Sequence, residues 1–355
     1  TNKLINCSRR NHFRDQLLAA TTAKDRWSVS KELLHSTKTV HHRTTDELIK
    51  LCNLFSNYFV DKISCLKRAV ASNASLLTTS LFPDRMFSGI ELDSLPAVTV
   101  DEVYKIVTSI KPKTSCVDYI PTSFIKSCPA LFSQLVCTLA NLSFSQGVFP
   151  SMFKVASVTP LIKKPGLDED SPSNFRPISN LNNISKIIER LFLSRLQPHI
   201  LCCPNFNQLQ SAYRPYHSTE TALLLSLNNI YEAADNSQPT LLVSLDLSAA
   251  FDTIDHSVLL SRLHTSFGIS GTALSWLTSY LYSRSQLVRI GQSSSPSALL
   301  DSGVPQGSVL GPIFFTVYIS PIGAIFSAFA IQHMQYADDS HLYIPFSAVH
   351  PVPAH

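Results

Sequence analysis

QYADDSHLYI, residues 335–344, is the stretch that decides how this chain folds and where its chemistry lies. His333–Ala337 and Ser340–Ile344 read as two short strands joined across Asp338-Asp339, which puts two carboxylates at a hairpin tip. Aspartate is a common turn residue that usually just faces water, so YADD alone is only suggestive. A second site changes its weight. SLDLSAAFDTIDH, residues 244–256, places Asp246 at the exit of TLLVSL (Thr240–Leu245), a short apolar run of strand type. A carboxylate leaving a buried strand is costly unless it is paired or holds a metal. If the strands are neighbours, Asp246, Asp338 and Asp339 converge and can hold two divalent ions about 4 Å apart, the spacing that serves phosphoryl transfer. An all-oxygen donor set completed by substrate phosphates suits magnesium.

Working outward, helices and short strands interleave, which predicts an α+β or mixed α/β class. Thr44 with Glu47 and Thr99 with Glu102 are capping boxes that open helices. After the first, Leu51, Phe55, Phe59 and Ile63 belong to an apolar stripe at helical spacing. Leu131–Gln146 predicts an apolar helix stopped by Gly147, and Val155–Ile162 a strand leading into a charged loop over Lys163–Arg176. Ser185–Ile200, Ser218–Ala234, Ser257–Leu263 and Thr272–Tyr282 predict helices, and Gln286–Ile290 a strand. Ser72–Pro83 reads as a linker, and the serine patch Ser293–Ser297 as a surface loop.

Only 15% of the 355 residues are charged, so their placement is informative. Lys plus Arg against Asp plus Glu run 10 to 5 over residues 1–50 and 8 to 4 over 151–214, but 3 to 9 over 215–355. A basic front and an acidic back fit phosphate contacts early and clustered carboxylates late. The 8 cysteines lack Cys-x-x-Cys spacing and any zinc-like pairing with histidine, and no signal peptide is visible, so they read as reduced, mostly core residues of an intracellular protein. Residues 302–337 carry no Asp, Glu, Lys or Arg; Gly311, Pro312, Pro321 and Gly323 favour two buried segments and a turn over a membrane span. P-loop and zincin motifs are absent. Gly307-Ser308-Val309-Leu310-Gly311 is no hydrolase elbow, because its serine stands second rather than third. Asp252 and Asp255 fit a helix entry better than metal ligation, and His256 and His341 read as structural.

These stretches join LIKKPG (Leu161–Gly166), NFRPISN (Asn174–Asn180), QSAYRPYHSTETALL (Gln210–Leu224) and GVPQGSVLGPIFF (Gly303–Phe315) in one ordered series. Together they resemble a reverse transcriptase of the non-LTR, LINE type, closest to the elements of vertebrate genomes, over roughly residues 100–345. KPKTSCVDYIPTSFIK (Lys111–Lys126) is similar to an upstream motif of LINE and group II intron enzymes.

The resemblance implies an RNA-directed DNA polymerase with right-hand fingers and palm. Residues 1–90 would be a helical N-terminal linker region, 91–345 the fingers and a partial palm, and 346–355 a tail. It implies Asp246, Asp338 and Asp339 as ligands of two Mg²⁺ ions, with Mn²⁺ as a substitute. Lys164 and Arg176 would neutralise the incoming triphosphate, and Phe251 would exclude a ribose 2′-hydroxyl. Gln306 and Gly307 would lie by the nascent base pair, and Lys163, Arg214, Tyr336 and Ala337 by template and primer. The implied partners are an RNA template, a DNA primer and dNTPs, with no membrane and no assignable oligomeric state. The setting would be a ribonucleoprotein of nucleus or cytoplasm. Because such enzymes continue well past YADD, the palm is expected to be truncated and the thumb absent. A silent relic that at most binds nucleic acid is the alternative, and a maturase-like RNA-binding protein a third reading.

Overall fold

The computed structural model describes residues 2–34, 43–74, 86–112 and 115–346, and the chain divides into two compact units, Thr1–Glu47 and Leu48–His355. The tail beyond Phe346 and most of the expected linker over 72–83 lie outside the described residues.

The first unit holds α1 (Asn2–Ala19) and α2 (Ala23–Leu34), neither of which the apolar pattern announced. Thr22 and Asp25 cap α2 reciprocally: Thr22 Oγ1 donates to the Asp25 carboxylate at 2.6 Å and accepts from Asp25 N at 3.1 Å. The expected box at Thr44 is present, its N–H donating to Glu47 Oε2 at 2.7 Å.

The second unit carries most of α3 (Thr45–Ala74), then α4 (Val100–Ser109), α5 (Thr122–Ser127) and α6 (Pro129–Gln146). The Thr99–Glu102 box caps α4, and Arg195 reaches Glu102 at 3.0 Å. Gly147 ends α6 in the left-handed region, φ 64°. There follow β1 (Val155–Ile162), β2 (Phe175–Asn180), α7 (Asn183–Cys202), α8 (Thr219–Asp235) and β3 (Thr240–Leu245). Next come α9 (His256–Thr265), α10 (Gly271–Leu281), β4 (Arg284–Ile290), β5 (Ser293–Ser294) and β6 (Ala298–Leu300). Last are α11 (Gly311–Ile319), α12 (Pro321–Ala328), β7 (Gln332–Tyr336) and β8 (Asp339–Pro345).

Two sheets result. One runs β2-β1-β4-β5 with β6 also on β4, and only the β1–β4 pairing is parallel. The other is the antiparallel sheet β3-β8-β7. The α3 stripe covers the first sheet, where Phe55 and Phe59 pack with Val158 and Val288. Between the helices lies the main core, centred on Trp276, which stacks on Phe192 at 4.0 Å and donates Nε1–H to Ser143 Oγ at 2.8 Å.

Three expectations change and a fourth keeps its expected form. Phe175 and Arg176 belong to strand β2 rather than to a loop; β2 is an edge strand and tolerates Pro177 there. The serine patch is not a free loop, since Ser293 and Ser295 are buried and Ser295 Oγ accepts Val288 N–H at 3.0 Å. All eight cysteines are free thiols, but only Cys52, Cys137 and Cys203 are buried. Finally, Gly311–Ala328 is long and apolar enough to cross a membrane by length and composition; it breaks at Ser320-Pro321 into α11 and α12, and 56% of it is buried.

Candidate active site

The β7–β8 hairpin turns through Ala337 and Asp338, with Tyr336 paired to Asp339 at its mouth. Ala337 adopts φ 55°, a left-handed conformation that non-glycine residues take at a cost. Beside it, β3 pairs with β8 from Thr240–Pro345 to Leu245–Ser340. Continued by one step, that register sets Asp246 opposite Asp339. Asp246 and Asp339 are exposed and Asp338 half-buried. Three carboxylates thus stand at adjacent strand ends of one sheet. Their donor chemistry fits hard divalent cations, although among the described residues no three His, Cys, Asp or Glu side chains close into a ready-made metal cage.

The loop before α8 braces this hairpin, and sequence reasoning missed it. Buried Gln210 donates Nε2–H to Ala337 O at 3.1 Å and accepts Ala337 N–H on Oε1 at 2.9 Å. Ser211 N–H donates to Gln335 O, and Gln335 N–H to Leu209 O, at 2.8 and 3.0 Å. Tyr213 lies close enough that burial first, then the charges of Asp338 and Tyr336, raise its phenol above the usual range. Arg214 is committed to its own loop, donating to Gln208 O at 2.7 Å and Gln210 O at 3.1 Å and covering the Phe206 ring. It is a buttress of the hairpin's brace.

The cations gather elsewhere, on the β1–β2 hairpin. Leu161 pairs with Arg176, and exposed Lys164 is the second residue after β1. Lys163 Nζ donates to Ser173 O at 2.7 Å. Burial, then the neighbouring charges of Lys62 and Arg176, lower its pKa.

Gly303–Ser308 connects the two groups. Its first half is bonded to the turn after Asp246, Gly303 N–H to Ile254 O at 2.8 Å and Val304 N–H to Phe251 O at 2.9 Å. Its second half meets β2, where Ser179 N–H donates to Gln306 O at 2.8 Å. Gly307 has φ 125°, and a Cβ there would stand 2.6 Å from Ser179 O, so only glycine fits. Half-buried Phe251 lies 5.5 Å from the Phe315 ring, and a Cβ at Gly311 would meet its ring at 3.5 Å. His256 Nε2 is 2.7 Å from Gly303 O, which makes it a strut of this loop, and burial lowers its pKa.

Two more acids were underread. Asp255 is the helix entry expected of it, its Oδ1 accepting Ser257 and Val258 N–H groups at 2.8 and 3.1 Å. Asp252 is not. It lines a cavity of about 130 Å³ under the loop, and burial pushes its carboxyl up to about 6 despite the pull of Lys62. Glu189 is fully buried, accepting from Ser185 Oγ at 2.9 Å, Tyr280 OH at 3.1 Å and Val309 N–H at 2.8 Å. It thereby fixes the entry into α11. Its one sequence signal was an acid on the apolar face of a helix.

An acidic hairpin thus stands on one sheet and a cationic hairpin on the other, and a glycine-bearing loop ties β2 of the cationic hairpin to the turn that follows Asp246. The chain belongs to the reverse transcriptase (RNA-dependent DNA polymerase) family, whose model matches residues 162–351. It is 31% identical over 232 residues to a probable RNA-directed DNA polymerase from transposon BS of Drosophila melanogaster, covering 64% of this chain and 25% of that protein. It is 28% identical over 269 residues to the RNA-directed DNA polymerase from mobile element jockey of Drosophila funebris, covering 75% and 28%. The D. melanogaster jockey polymerase is 30% identical over 231 residues, covering 64% and 24%. The chain therefore spans about a quarter of the length of these relatives. They are fly elements, and the expected kinship with vertebrate genomes finds no support in them.

Proposed function

We propose that this chain is the RNA-directed DNA polymerase domain of a LINE-type retrotransposon, extending a DNA primer on an RNA template with dNTPs. The observation that carries the proposal is the β3–β8 register, which aligns Asp246 with the Asp338-Asp339 hairpin. These carboxylates would hold two Mg²⁺ ions, or Mn²⁺ in their place. Such ions, when bound, stabilise the attacking and leaving oxygens of an in-line displacement. Lys164 and Arg176 bind and orient the triphosphate by charge. Phe251 occupies the volume a 2′-hydroxyl would need, and Gln306 with Gly307 brings backbone close to the pairing base. Tyr336, Ala337 and Lys163 lie along the primer and template. In this reading residues 91–345 are fingers and palm, Gly311–Ala328 is core rather than membrane anchor, and the work is done inside the cell in a ribonucleoprotein.

A second reading is a silent nucleic-acid binder, which the exposed cations Lys164 and Arg176 would serve equally well. Homopolymer-primed dNTP incorporation with Mg²⁺ separates the two. Incorporation that Asp246→Asn eliminates supports the polymerase. Binding of primer–template without incorporation supports the binder.

A further inference from the structure

Lys62 is absent from the motifs and lies on α3, outside the segment that the family model matches. It is half-buried and lines the cavity under the Gly303–Ser308 loop, together with Phe175 and Pro177 on either side of Arg176, with Ser179 and with Asp252. The helix is held there at two points. Phe55 packs edge-on against Phe175 with ring centroids 4.8 Å apart, and Lys67 bridges to Asp301 at 3.2 Å.

We infer that Lys62 is a phosphate-binding residue of the polymerase cleft, so that α3 forms one wall of the site and extends the cationic strip of Lys163, Lys164 and Arg176. The inference rests on the polymerase reading and adds a residue to it.

Electrostatics supports this placement. Among the described residues, none of these four cations forms an ion pair with a carboxylate. Lys62 and Arg176 both disfavour the charge on Lys163. Like charges held together in a chain so poor in charge are destabilising until an anion binds between them. The bland alternative makes Lys62 the ion-pair partner of Asp252. Among the described residues the two form no ion pair; Lys62 pulls the Asp252 carboxyl down only against the larger effect of its burial. Lys62 therefore remains available to phosphate.

The phosphate has two possible sources, a nucleic-acid strand or the dNTP, and one set of measurements distinguishes them. The whole chain, Lys62→Ala and Lys62→Arg are titrated with a primer–template duplex over a range of NaCl and with fluorescent dNTPs, and thermal unfolding is followed alongside. If the ligand is a strand, Lys62→Ala lowers the slope of log Kd against log salt by about one unit and Lys62→Arg restores it. If it is the triphosphate, the slope stays and Lys62→Ala weakens all four dNTPs alike, again with rescue by Arg. Unchanged slope and dNTP affinity overturn the inference, as does a loss that tracks a fall in Tm and is not rescued by Arg. A wild-type chain that binds neither duplex nor dNTP overturns the inference and the polymerase reading together; a wild type that binds with the slope and affinities of Lys62→Ala overturns the inference alone.

Discussion

The Gln210 side-chain amide clasps the Ala337 backbone on both sides of its Cα, giving to its carbonyl at 3.1 Å and taking from its N–H at 2.9 Å. This clasp keeps a non-glycine residue at φ 55° directly before Asp338. Gln210→Ala should lower stability by about 1–3 kcal/mol, for two hydrogen bonds lost in a buried place. It should also slow nucleotide incorporation more than it weakens nucleic-acid binding. Adding Ala337→Gly should recover part of the stability, because glycine takes that φ without strain. Denaturant melts of the single and double variants check both signs.

Asp246→Asn and Asp338→Asn each remove a charge and keep the side-chain volume. Either should abolish primer extension while leaving duplex binding nearly intact. Extension at a substantial fraction of the wild-type rate in either variant would remove that aspartate from the ion-holding set.

If Lys164 and Arg176 bind the triphosphate as proposed, they read charge, not base. Lys164→Ala and Arg176→Ala should raise the KM for all four dNTPs together. A penalty confined to one nucleotide would contradict their role.

Phe251 has two fates open to measurement. As the sugar filter, Phe251→Val raises the ratio of kcat/KM for rNTPs over dNTPs. As a packing residue against Phe315, it leaves the ratio alone and costs on the order of 2–4 kcal/mol of stability. Steady-state kinetics with both sugars, run beside thermal unfolding, separates them.

Asp252 should set a pH dependence of stability. Its carboxyl rises from 3.8 in the unfolded chain to about 6 in the fold, so between those values the native state holds a proton that the unfolded state has released. Stability therefore falls as pH climbs through that window, and the full penalty, roughly 3 kcal/mol, applies above it. Asp252→Asn should be more stable than wild type at pH 8, with the gap closing towards pH 4. A constant gap across a pH series of melts would contradict the assignment.

Residues whose role follows from local pattern were legible in the sequence. TLLVSL as a strand, the strands flanking Asp338-Asp339 and the Thr99–Glu102 box have the expected form because period, turn chemistry and caps act over a few residues. The burial expected of TLLVSL is not found: Leu241, Leu242 and Leu245 are exposed, because no described element covers these side chains of β3. Gln210, Glu189 and Asp252 were not legible, since each acts on backbone or cavity far along the chain: Gln210 on Ala337, Glu189 on Val309, Asp252 on the space beneath Gly303. Strand β2 was hidden for a similar reason. Pro177 weakens the local signal, and only the partner β1 makes a strand of it. The helices of the first unit were expected only as a helical N-terminal region and not one by one, because their apolar residues make no continuous stripe.

The loop Gly303–Ser308 is sewn to the Phe251–Ile254 turn by its first two residues and to Ser179 of β2 by Gln306. Nothing between the two seams is longer than Pro305, whose ring already fixes its φ. A rotation of the cationic hairpin relative to the Phe251–Ile254 turn therefore has no slack to use up, and must twist the peptide groups around Pro305 and Gln306 at once. The loop would act as a short torsion spring between that turn and β2.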